Sequence, residues 1–202
     1  MMIERLQIWF IWLCRCPYSR GFGIQSPSVY RFVRYVINEH YPYYAYADLL
    51  NCFPVLRLIQ RKLFFLYFRI SNALQPSVWA DFMDASQIAD AGEVRASFIQ
   101  RGCRKTQVVP FRSAADLLSV DKIDVARMRA DIHSYEIYDA LFEHMTESSL
   151  LIMEGIYRTK ESKRFWEMIL QDNRTGITFD LYHCGLVFFD HVREKRNYII
   201  NF

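Results

Sequence analysis

Glycine and proline are scarce in this chain, at 7 and 6 of 202 residues. That excludes collagen-like and low-complexity classes, which draw heavily on both. Cysteine is also sparse. Cys14, Cys16, Cys52, Cys103 and Cys184 are odd in number and scattered, unlike the even framework of a disulfide-stapled secreted domain. They read as free thiols. Cys14 and Cys16 form the one close pair, and nothing downstream supplies a matching zinc pair. No long apolar run occurs. The longest, Ile8 to Cys14, falls far short of the ~20 residues a membrane-spanning helix needs. A secretory leader fits poorly, because Glu4 interrupts the would-be basic region and Cys14-Arg15-Cys16-Pro17 is not a small-residue cleavage site. The expectation is a cytoplasmic protein. A net charge of +3 gives no sign excess that points to nucleic acid. G-x-S-x-G, P-loop and H-E-x-x-H signatures are all absent.

What is present is apolar and aromatic. Hydrophobic residues make up 52% and aromatic ones 16%, which excludes intrinsic disorder. A chain of this length can bury ~70% of its unfolded surface, as one domain or one domain with an extension.

The pattern changes near residue 76. Residues 1–75 read as a helical extension and 76–202 as a domain of alternating strands and helices. Residues 3–15 form a short helix rich in Trp and Phe, able to pack on its own domain, on a second subunit or on a membrane surface. Ser26-Pro27 marks a helix start, with the helix running to about Glu39. Tyr41 to Tyr46 reads as an aromatic loop. Pro54 is expected to open the strongest helix, in which Leu56, Ile59, Leu63, Leu66, Ile70 and Ala73 share a face. Arg57, Arg61, Lys62 and Arg69 read as its solvated side. Strands follow at Val78–Met83, Thr106–Phe111, Ile123–Met128, Ser149–Glu154, Ile177–Tyr182, Leu186–Phe189 and Tyr198–Phe202. Helices fall at Ser86–Arg101 and Ser134–Met145, with a helical turn at Ala114–Leu118. A further helix capped by Thr159 runs to Gln171. Alternation of this kind predicts βαβ units and a mainly parallel sheet, and the closing strands predict an antiparallel edge.

Several stretches resemble a known family. Gly23-Ile24-Gln25-Ser26-Pro27-Ser28-Val29-Tyr30, with the tyrosines from Tyr43 to Tyr46, is similar to the N-terminal extension of a bacterial group of class I S-adenosylmethionine-dependent methyltransferase-like proteins, which carries G-I-H-S-P-F there. Ile177 to Tyr182, Gly185 to Phe189 and Tyr198 to Phe202 resemble that group's last strands. Ile123 to Tyr157 matches its fourth strand, helix and fifth strand in spacing. The resemblance covers nearly the whole chain. It implies a three-layer Rossmann-like methyltransferase sandwich with antiparallel C-terminal strands, a helical N-terminal extension, and S-adenosylmethionine as cofactor.

Departures from the family matter as much. Its members bind the cofactor through a glycine-rich turn after the first strand, where the backbone must come close to the ligand. Gln75 to Ser86 contains no glycine. Either the loop is replaced, or the first strand–helix unit is deleted and Val78–Met83 is the family's second strand. The resemblance then makes Asp81, Asp84 and Asp131 the candidate cofactor-binding residues. Asp84 would hold the ribose hydroxyls, or else cap the following helix. Metal-dependent members place D-G-N-H after strand four and D-D after strand five. Here Ala130-Asp131-Ile132-His133 and Glu154-Gly155 stand there, so no metal is expected. His133 and Glu154 are the candidate catalytic pair, His133 as general base or as a helix cap. His183 and Cys184 are neighbours on a strand and point to opposite faces, which argues against a nucleophile pair. The reading that results is a methyltransferase-like protein with lost or weakened cofactor binding, serving as a binding or assembly module. The alternative is an active methyltransferase with an atypical loop acting on a small molecule. The N-terminal helices are the candidate surface for self-association or a protein partner.

Overall fold

The computed structural model describes residues 2–18, 21, 23–83, 89–131, 134–190, 192 and 194–202. Helix α1 spans Met2–Cys14. Among the described residues, no helix is long and apolar enough to cross a membrane. Pro27 opens α2 (Pro27–Phe32) behind an extended Ser26, a position where its missing N–H costs nothing. The chain then widens into a π turn, Val33–Ile37, and stops short of Glu39. Arg69 closes that end by donating from Nε to the Val36 carbonyl at 2.6 Å and from Nη2 to the Ile37 carbonyl at 3.1 Å.

The tyrosine segment is not wholly a loop. Helix α3 (Tyr44–Cys52) begins inside it. Packing decides this against a modest intrinsic propensity: Tyr46 stacks on Phe65 with centroids 3.9 Å apart, and Tyr43 and Tyr46 both meet the Phe68 ring. Helix α4 (Leu58–Leu74) starts later than Pro54, after an extended Arg57 whose N–H is taken by the Gln60 side chain at 3.2 Å. It ends where Gln75 turns left-handed at φ 49°. Leu63, Leu66 and Ile70 are buried as the spacing predicts, but so is Arg69, which therefore does not belong to a solvated charged side.

Strands β1 (Val78–Phe82), β2 (Gln107–Phe111), β3 (Ile123–Arg129), β4 (Met145–Glu154), β5 (Ile177–Asp180), β6 (Cys184–Phe188) and β7 (Arg196–Ile199) form one sheet in the order β2-β1-β3-β4-β6-β5-β7. Strands β1 to β4 pair in parallel. The inversion is confined to β6, antiparallel to both β4 and β5, while β7 adds in parallel to β5. Helices α5 (Ala89–Gly102), α6 (Ser134–His144) and α7 (Lys160–Gln171) and a 3₁₀ turn at Ala114–Ser119 complete the chain. Thr159 caps α7 as expected, its Oγ1 accepting from the Ser162 N–H at 3.1 Å.

The sheet is covered on both faces. Trp79, Val125, Leu150 and Ile152 pack against α2, α4 and α5. Ala80, Ala126, Leu151 and Met153 pack against α6 and α7. The period-two alternation of each strand divides the two cores. Helices α4 and α5 approach so closely that a Cβ at Gly102 would collide with the Phe68 carbonyl oxygen. At the far edge, β2 pairs only with β1. Gln107 donates inward to Ser77 at 2.8 Å and Phe111 accepts inward from Met83 at 2.8 Å. Pro110, between these inward-bonding positions, therefore has its nitrogen on the outer side.

Candidate functional site

In an open parallel sheet, ligands bind outside the carboxyl ends of the strands where the strand order reverses. Here that point lies between β1 and β3, since β2 flanks β1 on the other side. Asp81 and Arg127 stand opposite each other in register. Arg127 also faces Ile152 of β4, so Glu154, two residues on, lies on the same side of the pleat. The three side chains thus meet under α4 and α5, at the place a cofactor would use.

They meet by binding one another. Arg127 donates from Nε to Glu154 Oε1 at 2.9 Å and from Nη2 to Glu154 Oε2 at 2.8 Å, a two-point grip. Its Nη1 reaches the Phe82 carbonyl at 2.7 Å and Asp81 Oδ1 at 3.4 Å. Arg95, from α5, donates to Asp81 Oδ2 at 2.9 Å and to the Met83 sulfur at 3.0 Å. Tyr67, from α4, donates to Glu154. Asp81, Arg95, Arg127 and Tyr67 are all buried. Among the described residues, two carboxylates and two guanidiniums cancel in this cluster. A buried ion pair persists only with such full pairing.

The cluster's titration follows from these contacts. Burial raises the Glu154 carboxyl, but Arg127 and the Tyr67 hydroxyl outweigh it and hold its pKa at about 2. Burial pushes Asp81 up against the pull of Arg127 and Arg95. Burial also pushes the Tyr67 hydroxyl well up, with Glu154 adding to it, so the phenol stays a donor. A carboxylate held near pKa 2 by a fixed guanidinium is a poor proton acceptor at neutral pH.

The structure brings two of the five sequence candidates, Asp81 and Glu154, into one cluster. Asp131 lies just past the end of β3 and is half-buried. Asp84 and His133 lie outside the described residues. His183 sits in the turn between β5 and β6, and Cys184 begins β6 with its thiol fully buried. Burial pushes that thiol well up, helped by Glu154 and Asp180, the wrong direction for a nucleophile. Cys14 and Cys16 are both exposed. Among the described residues, no group of three His, Cys, Asp or Glu side chains is placed to hold a metal ion.

Sequence reasoning missed Arg127, Arg95 and Tyr67. The available signal was Arg127 itself, a charge in the middle of a strand whose neighbours Val125, Ala126 and Met128 are apolar. An ionised residue there is affordable only with partners.

S-adenosylmethionine needs close backbone approach after β1 and free acceptors for its hydroxyl groups. Residues 84–88, which follow β1, lie outside the described residues. Asp81 and Glu154 are both engaged internally. Met83 occupies the mouth of β1, lying against Gly92 so tightly that a Cβ there would be 2.7 Å from its methyl carbon.

No family model matches the sequence, and no curated protein matches it either. Solved structures do match. An SAH-bound methyltransferase from Podospora anserina has a TM-score of 0.54 at 8% identity, covering 83% of this chain and 97% of that one. An O-methyltransferase from Bacillus cereus, in complex with SAH, has a TM-score of 0.47 at 10% identity, covering 77% and 96%. The first likeness establishes the fold, the class I methyltransferase-like sandwich.

Proposed function

We propose that this class I methyltransferase-like fold serves as a binding or assembly module in which S-adenosylmethionine binding is lost or weakened. The observation that carries the reading is the Asp81–Arg127–Glu154 cluster. A cofactor that takes Asp81 or Glu154 in place of Arg127 as the partner of its own groups would have to part Arg127 from that carboxylate. Breaking a buried pair costs about 3–5 kcal/mol, roughly two to three and a half powers of ten in dissociation constant. The glycine-free stretch from Gln75 to Ser86 adds to that barrier.

Helix α1 supplies the surface for assembly. Leu6, Trp9, Phe10 and Leu13 follow the i, i+3, i+4, i+7 spacing of a single stripe. All four are exposed, Trp9 and Phe10 by 60% and 62%. The end of α1 is fixed to the domain. Arg15 pairs with Asp180 at 2.7 Å, and Asn201 donates to the Trp12 carbonyl at 3.0 Å. An anchored helix with an apolar stripe facing outward fits the same stripe on a second copy, related by a two-fold axis.

Calorimetric titration with S-adenosylmethionine and S-adenosylhomocysteine tests the cofactor half. The expected result is no heat of binding and no melting shift up to millimolar ligand. Saturation at ~100 times the dissociation constant would stabilise the fold by ~2.7 kcal/mol. Micromolar binding would transfer the reading to an active methyltransferase on a small-molecule acceptor. Sedimentation of wild type and of Trp9→Asp tests the assembly half. A dimer that the substitution converts to monomer is expected. A wild-type monomer would remove the assembly reading, and binding to lipid vesicles by that monomer would assign α1 to a membrane surface.

A further inference from the structure

A cavity of about 510 Å³ shares no residue with the Asp81–Arg127–Glu154 cluster. It lies where α1, the end of α2, α3, α4 and the last residues of the chain converge. Its volume is within the ~300–1,000 Å³ of small-molecule sites. Trp12, Ile37, Tyr46, Phe65 and Phe202 supply apolar walls. Lys62 and Arg69 are cationic, and among the described residues neither forms an ion pair with a carboxylate. Asn38 is only 8% exposed, and its side-chain nitrogen is buried without a hydrogen-bond partner. The Tyr46 hydroxyl, beside Arg69, also lacks a well-aligned bond. The carboxylate side chain on the lining, Glu39, accepts from the backbone N–H groups of His40 and Tyr41 at 2.7 and 2.8 Å.

Buried donors without acceptors, and buried cations without anions, are costly unless a ligand completes them. Arg69 has a structural task, since it closes the π turn of α2. Among the described residues Lys62 has no comparable one: its ammonium stands 4.9 Å from the Phe202 ring centroid, a cation–π contact. Burial and the neighbouring Arg69 both lower its pKa, a strain that an incoming negative charge relieves.

We propose that this cavity binds a small organic anion, one carboxylate or phosphate head group carried on an aromatic or acyl body. The head group takes the Lys62 ammonium and the Asn38 side-chain N–H, and the body lies between the stacked Tyr46–Phe65 pair and Phe202. The proposal stands apart from the reading of the β1–β3 crevice and survives or fails without it.

The test uses matched probes on the full chain: 4-phenylbutyrate, 4-phenylbutyl phosphate, 4-phenylbutan-1-ol and 4-phenylbutylamine, each titrated by calorimetry. At least one anion is expected to bind at least about tenfold more tightly than the alcohol, a difference of ~1.4 kcal/mol, and the amine not at all. Comparison of the two anions identifies the head group. Lys62→Met keeps the apolar stem and should weaken the anion about tenfold or more while leaving the alcohol unchanged. Asn38→Asp should also weaken the anion. Equal binding of alcohol and anions, no binding of either anion at millimolar concentration, or unchanged anion affinity in Lys62→Met would each overturn the proposal. The wild-type probe series decides even if a variant does not fold.

Discussion

Arg127 carries more of this molecule's local energetics than any other side chain in the crevice. Removing it leaves Glu154 without its counter-charge and Asp81 with Arg95 alone, so Arg127→Met should destabilise the fold by about 3–5 kcal/mol in urea unfolding. Adding Glu154→Gln to the same chain should recover much of that loss, because the penalty lies in the stranded carboxylate and Asp81 keeps Arg95. Glu154 makes stability acid-sensitive. Its folded pKa of about 2 lies below the unfolded value of ~4.3. Its contribution is therefore complete above pH ~4.5 and drains away as pH falls toward 2, by roughly 3 kcal/mol. Asp81, raised by burial, acts in the opposite sense and blunts the fall. Glu154→Gln should flatten the stability curve in that window. His183 acts at milder pH. Burial, with Lys62 and Arg15 nearby, lowers its pKa to about 4 from an unfolded value of ~6.5. The unfolded chain then takes up a proton that the folded chain refuses, so stability falls as pH drops from 6.5 to 4. His183→Asn should remove that slope. At this scale the sequence was half legible. Asp81 and Glu154 were recognisable as carboxylates at strand ends. Their partners were not, because Arg127, Arg95 and Tyr67 come from three elements whose juxtaposition no spacing rule reveals.

Elements were more legible, with their boundaries least so. Each expected β-strand overlaps an observed one because alternation and apolar runs are local properties, though β6 starts at Cys184 instead of Leu186 and β7 spans Arg196–Ile199 instead of Tyr198–Phe202. β4 begins earlier than expected: its polar start at Met145 is held by pairing with Ile123, a non-local cause. The start of α4 moved from Pro54 to Leu58 because Gln60, within the helix, supplies the capping bond. Helix α3 escaped notice because four tyrosines in six residues suggest a loop, and only Phe65 and Phe68 of α4 give Tyr46 a reason to be helical. Helix pairing makes its own prediction. Gly102→Ala, normally favourable inside a helix, would drive a methyl group into the Phe68 carbonyl. It should instead cost about 1–3 kcal/mol, seen as a lowered denaturation midpoint at unchanged m-value.

At the scale of the whole molecule, the alternating pattern foretold a parallel sheet covered on both faces, and the reversal of order between β1 and β3 locates its crevice. What filled the crevice depended on three-dimensional neighbours, and fold alone did not decide it. The sheet must also end somewhere, and β2 is one of its ends. An unpaired edge offers amide and carbonyl groups to any extended chain that drifts past. Pro110 interrupts that offer one residue before the end of β2, since its ring occupies the outward nitrogen. Replacing it with valine would restore the missing donor beside exposed Gln107 and half-buried Val108. Pro110→Val should leave the melting temperature of dilute protein nearly unchanged, yet shorten the lag before thioflavin-positive fibrils form in concentrated samples. One imino acid would then set how long the protein can be stored at high concentration.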